Sequence, residues 1–225
     1  MKNINDIITQ KIVVVISISL FVLIVVLFVY DRYREQDTKW STIEQEQKAM
    51  LISGDVIFTE GNSFKSDMVR IASGVQAEQN YSHCGFIIVE REEDVGEIHV
   101  SEDSAEKLEK IEVYVVHMSI DKGHIVKEPI DSFWSNNKVT SYAICRADGF
   151  TQNQSLEIAL EELLLMQVKF DNSYDASQNQ DLYCTELICY IFDKVGDLNL
   201  YPYDDLKRFI YPENLFETKP LNKIL

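Results

Sequence analysis

From Ile12 to Tyr30 the chain is an unbroken run of Ile, Val, Leu and Phe, relieved only by Ser17 and Ser19 and free of charge. As a helix rising about 1.5 Å per residue, such a run nearly matches the roughly 30 Å hydrocarbon core of a bilayer. It leaves through Phe28, Val29, Tyr30, Asp31 and Arg32, with no small-residue exit of the kind a cleaved leader has. The pattern therefore predicts a tail over 1–11, an uncleaved transmembrane anchor over 12–30, a polar stalk over 31–50, and one folded domain over 51–225. Lys2 and Lys11 precede the span, and Arg32, Arg34 and Lys39 follow it. The positive-inside bias nearly cancels, so both orientations of this single-pass protein stand, the extracytoplasmic domain slightly favoured. In the stalk, Trp40, Ile43 and Met50 recur at approximate helical spacing and suit a segment that docks on the domain.

Beyond the stalk, Ser53-Gly54-Asp55 is a turn signal and Val56 to Thr59 is a short apolar run, predicted as a strand. Ser66 to Ser73 reads as a short helix. Tyr81 to Glu90 is a strand with the continuous apolar stretch Phe86-Ile87-Ile88-Val89. After the polar turn Arg91 to Gly96, Glu97 to Glu102 alternates apolar and polar residues and is predicted as its hairpin partner. Folding that hairpin about Glu92 or Glu93 sets Glu102 or its neighbour across from His83. Further strands are expected at Glu112 to Met118, Ile125 to Glu128 and Thr140 to Arg146, in a mainly antiparallel sheet. Ser155 to Val168 and Leu182 to Val195 each carry one apolar helical face. Strands followed by helices give an α+β domain, and the aromatic tail from Pro202 to Leu225 is expected to pack over the core.

The net charge of −16 disfavours nucleic acid, whose phosphates need Lys and Arg clusters. The acidic excess reads as a solvated surface. Cys84, Cys145, Cys184 and Cys189 form no CxxC pair and no disulfide-framework spacing. Cys145 and Cys189, inside an apolar strand and helix, read as core. His99, His117 and His124 fall in different elements without metal-ligand spacing. Asp171-x-Ser173-x-Asp175 resembles the start of a calcium loop but has Ala176 and Leu182 where that loop needs Gly and Glu. No cofactor is expected.

Cys184 stands where the polar loop Asp171 to Asp181 passes into an apolar helix, and a helix N-terminus favours a thiolate. By itself a buried cysteine is the commoner reading, as a satisfied strand-edge polar residue is for His83. The combination carries more. Ser53 to Phe58, Tyr81-Ser82-His83-Cys84-Gly85-Phe86-Ile87, Phe170-Asp171 and Tyr183-Cys184-Thr185-Glu186-Leu187-Ile188 follow in that order. Together they resemble the permuted papain-like amidases, the YiiX-type circularly permuted branch of the NlpC-like cysteine peptidases. There, too, the histidine strand precedes the cysteine helix. The resemblance spans roughly Ser53 to Val195.

The resemblance implies a papain-like domain in which Cys184 attacks a carbonyl, His83 moves the proton, and Glu102 orients the imidazole, with Asp103 as the alternative. The Cys184 N–H is the natural first oxyanion donor, with Tyr81 a candidate for the second. Glu186, two residues after Cys184 on the helix, reads as a helix-start charge or a group supporting the site from behind, and not as a catalytic acid. Two features depart from the family pattern. Cys84 replaces an aliphatic residue, leaving either a small buried side chain, the preferred reading, or an inactivating disulfide. The segment from Asp103 to His124 is longer than usual. The expected function is hydrolysis of an amide in a peptide, cell-wall fragment, N-acyl amino acid or lipid-linked substrate through a thioester on Cys184. Acyl transfer by the same dyad and a non-catalytic binding module are the rivals.

Overall fold

The computed structural model describes residues 16–26, 43–62, 66–67, 81–91, 111–151, 153–174, 181–196, 198, 200 and 210–225. Val56–Gly61 forms β1, His83–Arg91 β2, Ile111–Ser119 β3, His124–Pro129 β4, Val139–Ala147 β5 and Leu221–Lys223 β6. Among the described residues they make one sheet of order β4-β3-β2-β1-β5-β6, with every pairing antiparallel. Beyond the helical residues 16–26, the helices named here are α1 (Gln45–Ala49), α2 (Ile130–Asn136), α3 (Asn153–Met166), α4 (Cys184–Gly196) and α5 (Pro212–Phe216). The expected α+β class and antiparallel sheet are both present.

The partner of β2 differs from the expected one. Its far half pairs with β3, Phe86 against Val116 and Arg91 against Ile111, while its first residues pair with β1. The Glu97 to Glu102 segment expected in that place lies outside the described residues. Alternation in a polar segment after a turn suggested the nearest hairpin, whereas β3 brings the buried Val113, Val115, Val116 and Met118 to this place in the sheet.

Strand alternation divides the core into two faces. Cys84, Phe86 and Ile88 of β2 join Val56, Phe58, Val116 and Met118 beneath α3 and α4, whose Leu156, Leu160, Leu187, Ile188, Ile191 and Phe192 fill that side. Ile57, Ile87, Val113, Val115 and Ile144 face the opposite side, where Phe133 and Trp134 of α2 cover them. The expected docking of the stalk is seen in part. Ile43 and Leu51, flanking α1, are buried in this second cluster, whereas Met50 is exposed. The tail packs as expected where it is described: Phe216 meets Phe58 and Tyr81, and β6 extends the sheet on β5.

One half-buried ion pair ties the start of β1 to β5. Asp55 is fully buried and takes both nitrogens of a forked contact from Arg146, at 2.7 and 2.8 Å, while the same guanidinium reaches the Met50 carbonyl. Bidentate geometry of this kind is the strong form of a carboxylate–guanidinium contact.

Residues 16–26 are helical, and Ile16, Ile18, Leu20, Phe21 and Ile24 are all exposed. Among the described residues no helix is long and apolar enough to cross a membrane. Residues 12–15 and 27–30 of the expected span lie outside them, as do Trp40 of the stalk and the expected helix beyond Asp67.

Candidate active site

The approach to Cys184 is pinned by backbone bonds. Asp171 N–H donates to the Leu182 carbonyl and Leu182 N–H to the Lys169 carbonyl, each at 3.0 Å, so the chain enters α4 from a fixed point. The first bond inside the helix runs from Leu187 N–H to the Tyr183 carbonyl. The preceding N–H groups, including that of Cys184, therefore have no acceptor within the helix and face its open end. Glu186, buried, accepts the Tyr183 N–H at 3.0 Å, the reach-back half of a capping box. That matches the helix-start role expected of it. The residues flanking Cys184 hold a second segment: Thr185 Oγ1 donates to the Ile210 carbonyl at 2.6 Å, and Ile210 N–H donates to the Tyr183 hydroxyl at 3.0 Å.

His83 is the first residue of β2 and acts on Cys184, the first residue of α4. The Cys184 thiol is held well below the ordinary thiol range. The largest cause is a hydrogen bond from the Cys84 thiol; burial opposes the charge, but the His83 hydrogen bond and charge and the Cys84 N–H outweigh that cost. Cys84, inside the apolar side of the sheet, is pushed the other way by burial and by its contact with Cys184. Burial likewise raises Cys145, to about 12, and Cys189. Of the four cysteines, then, Cys184 alone is favoured as a thiolate, and all four are free thiols.

Beyond His83 lies a chain of polar contacts across three strands. His83 Nε2 is 2.9 Å from His117 Nδ1 on β3, and His117 Nε2 is 2.9 Å from Glu128 Oε1 on β4. Register explains the placement. His117 pairs with Val126, so Glu128 is its diagonal neighbour on the same face, and His83 stands in the same diagonal relation on the other side. Gly85, on the His83 face of β2, has to be glycine: a Cβ there would lie 2.9 Å from Val115 Cγ1 and 3.0 Å from His117 Cβ. From α2, Phe133 stacks on the His83 ring at 6.0 Å and meets His117 edge-on at 4.9 Å, while Asn136 Nδ2 donates to Glu128 Oε2 at 2.7 Å.

These contacts fix protonation. Burial works against the Glu128 charge, yet the His117 hydrogen bond, the charge His117 carries when protonated, the Asn136 hydrogen bond and the nearby Lys122 hold its carboxyl down to about 2. Burial pushes His117 below its ordinary value, more than the Glu128 contact restores, and the His83 charge acts in the same direction. A neutral His117 that donates from Nε2 to the carboxylate has a lone pair on Nδ1. His83 donates to that lone pair from Nε2, which turns its own Nδ1 toward the sulfur. The sequence missed His117 and Glu128. Glu102 and Asp103 lie outside the described residues, and the ring nitrogen that Glu102 was expected to hold is engaged by His117. Tyr81 sits in the Phe58 and Phe216 cluster, its hydroxyl pushed up to about 12 by burial first and then by Cys145 and Glu60.

A sequence model of the permuted papain-like amidase enzymes, the YaeF/YiiX, C92 family, matches residues 50–221. The chain belongs to that family, a family of papain-like amidases. Its fold is similar to that of the metalloprotein yiiX from Escherichia coli O157:H7. The TM-score is 0.55 at 16% identity, over 77% of this chain and 96% of that one. No curated protein matches in sequence. Among the described residues no group of three or more His, Cys, Asp or Glu side chains is placed to hold a metal ion, and both nitrogens of His117 are already engaged.

Proposed function

We propose that the protein hydrolyses an amide bond by covalent catalysis at Cys184. His83 takes the thiol proton and returns it to the leaving amine, and His117 and Glu128 orient His83. The observation that carries this reading is the chain of 2.9 Å contacts from His83 through His117 to Glu128, which holds the far nitrogen of the histidine that lowers the Cys184 thiol. The thiolate attacks the carbonyl carbon, and the Cys184 N–H at the start of α4 stabilises the oxyanion. Collapse expels the amine, protonated from His83 Nδ1, and leaves a thioester. Water, deprotonated by the same nitrogen, then releases the acid. Glu128 stays ionised throughout and supports the imidazolium through His117, as a carboxylate does in a catalytic triad.

Residues 12–30 are, in this reading, a membrane anchor. Support comes from the exposed apolar side chains along residues 16–26, which a water-exposed helix would turn inward. The anchor brings lipid-linked amides and peptides near membranes within reach. It also favours a second reading, in which an amine or lipid alcohol captures the thioester. Hydrolysis and transfer separate by product analysis with and without a competing amine. The anchor is checked by alkaline extraction of membranes, after which the full chain stays in the pellet and a chain lacking residues 1–42 does not.

The test of the chemistry is trapping. The protein is incubated with cell extract and with panels of peptides and N-acyl amino acids, quenched in acid, and mapped by mass spectrometry. An acyl group on Cys184, lost in Cys184→Ala together with turnover, is the expected result. Turnover undiminished in Cys184→Ala overturns the reading.

A further inference from the structure

Among the described residues of the folded domain, the exposed large apolar side chains are Met50, Ile120, Ile158, Leu165 and Met166. Three of these come together at one edge. Leu165 and Met166 end α3, 86% and 72% exposed, and Gln167 closes the helix in the left-handed conformation at φ 49°. Ile120 stands in the turn between β3 and β4, which is closed by the bond from Gly123 N–H to the Ser119 carbonyl at 2.8 Å. Backbone bonds lay the two segments side by side. Phe170 N–H donates to the Gly123 carbonyl and Ile125 N–H to the Val168 carbonyl, each at 2.9 Å, and His124 bridges to Lys169. On its other side the same strip bonds to Leu182, two residues before Cys184. The apolar edge thus borders the open end of α4, where the nucleophile stands.

We propose that Ile120, Leu165 and Met166 form a lip that enters a lipid surface and holds the Cys184 end of the domain against it. The proposal rests on the reading of residues 12–30 as a membrane anchor. Anchored there, the domain is tethered by residues 31–42, which can span at most about 40 Å, roughly the diameter of a domain of this size. Its surface therefore stays close to the bilayer. Docking is then an intramolecular step, set by an effective concentration on the order of millimolar. Three side chains suffice under that condition, where an untethered domain would need a far larger apolar patch.

Charge favours the same edge. An anionic headgroup layer repels most of the surface of a chain with a net charge of −16. At the lip the exposed Lys122 and Lys169 stand against the exposed Asp121 and Glu161, and Glu162 is paired with Lys194 at 2.7 Å, so this edge is close to neutral. Lys122 also reaches Glu128 at 3.6 Å. Lysine stems beside apolar side chains can follow them into the interface and leave their ammonium groups among the headgroups. Docking by this edge has a consequence for substrate. The amide of a lipid-linked molecule meets Cys184 at the headgroup layer, while its acyl chain stays in the bilayer.

The experiment uses the full-length protein in phosphatidylcholine vesicles doped with a phosphatidylcholine that carries a diazirine on its acyl chain. After irradiation, lipid adducts are mapped by peptide mass spectrometry. Adducts are expected within residues 12–30 and also on the peptides bearing Ile120 and Leu165-Met166. With Leu165→Glu and Met166→Glu combined, labelling of the Ile120 peptide should fall several-fold while that of residues 12–30 stays level. Adducts in the span with none on the lip, whether the lip is bare or covered by a second copy, overturn the proposal. Ile120 labelling unchanged by the double substitution overturns it too. Should the doubly substituted chain fail to fold, the wild-type map decides alone. Lip adducts without span adducts sink the anchor reading and leave the docking surface standing, whereas no adducts in either place remove both. These readouts follow lipid contact and not turnover, so a protein that docks and cleaves no amide sinks the hydrolase reading only.

Discussion

His83 Nε2 lies 2.9 Å from His117 Nδ1, and that one contact gives the two imidazoles different tasks. His117, buried and bonded to Glu128 on its other side, is a fixed neutral bridge. His83 is the ring that faces sulfur and changes its proton count during the reaction. The bridge is assembled from three adjacent strands and walled by Phe133, so its geometry is a property of the sheet and not of a loop.

His117 bridges by accepting at one atom and donating at another, which an amide also does. His117→Gln should therefore keep much of the activity. His117→Leu should lower kcat by roughly 10²- to 10⁴-fold, the range for loss of an orienting group, with little change in KM. Equal kcat for the Leu variant and the wild type would remove His117 from the mechanism.

Glu128 titrates from about 2 in the folded chain, against an ordinary 4.5. Because the folded value is depressed, its stabilising effect is complete above 4.5 and is lost as pH falls from there toward about 2. The stability gap between wild type and Glu128→Gln, measured by urea unfolding, should be flat above 4.5 and shrink steadily below it. A gap that is constant down to about 2 would show that the carboxylate is not held in this way.

Gly85 gives His117 its room. Gly85→Ala should destabilise the domain by about 1–3 kcal/mol, the usual cost of overpacking, and should slow alkylation of Cys184 by displacing the bridge. An alanine variant as stable and as reactive as the wild type would contradict the 2.9 and 3.0 Å approaches.

Much of this was legible in the sequence. The strand and helix positions followed from apolar runs whose ends match the observed β1, β2, β3, β4, β5, α3 and α4 within a few residues. Cys184 at a helix start and His83 at a strand start were found from local pattern together with family resemblance. His117 and Glu128 were not, because their roles depend on register between strands separated by the 92–110 segment, and no local feature fixes that register. The signal was present in a weaker form: a histidine in the strand after a Ser-His-x-Gly block, and a glutamate ending the next strand. Cys84 was read as a small buried side chain, which its burial bears out.

The account turns on a charged Cys184 sulfur made by its neighbours, and the pH dependence of alkylation reads that directly. With iodoacetamide and peptide mapping, the Cys184 rate should rise through an inflection well below the ordinary thiol value of about 8.5, far ahead of Cys145 and Cys189. In His83→Ala the inflection should move upward. A Cys184 inflection at or above the ordinary value, unchanged by loss of His83, would contradict the account.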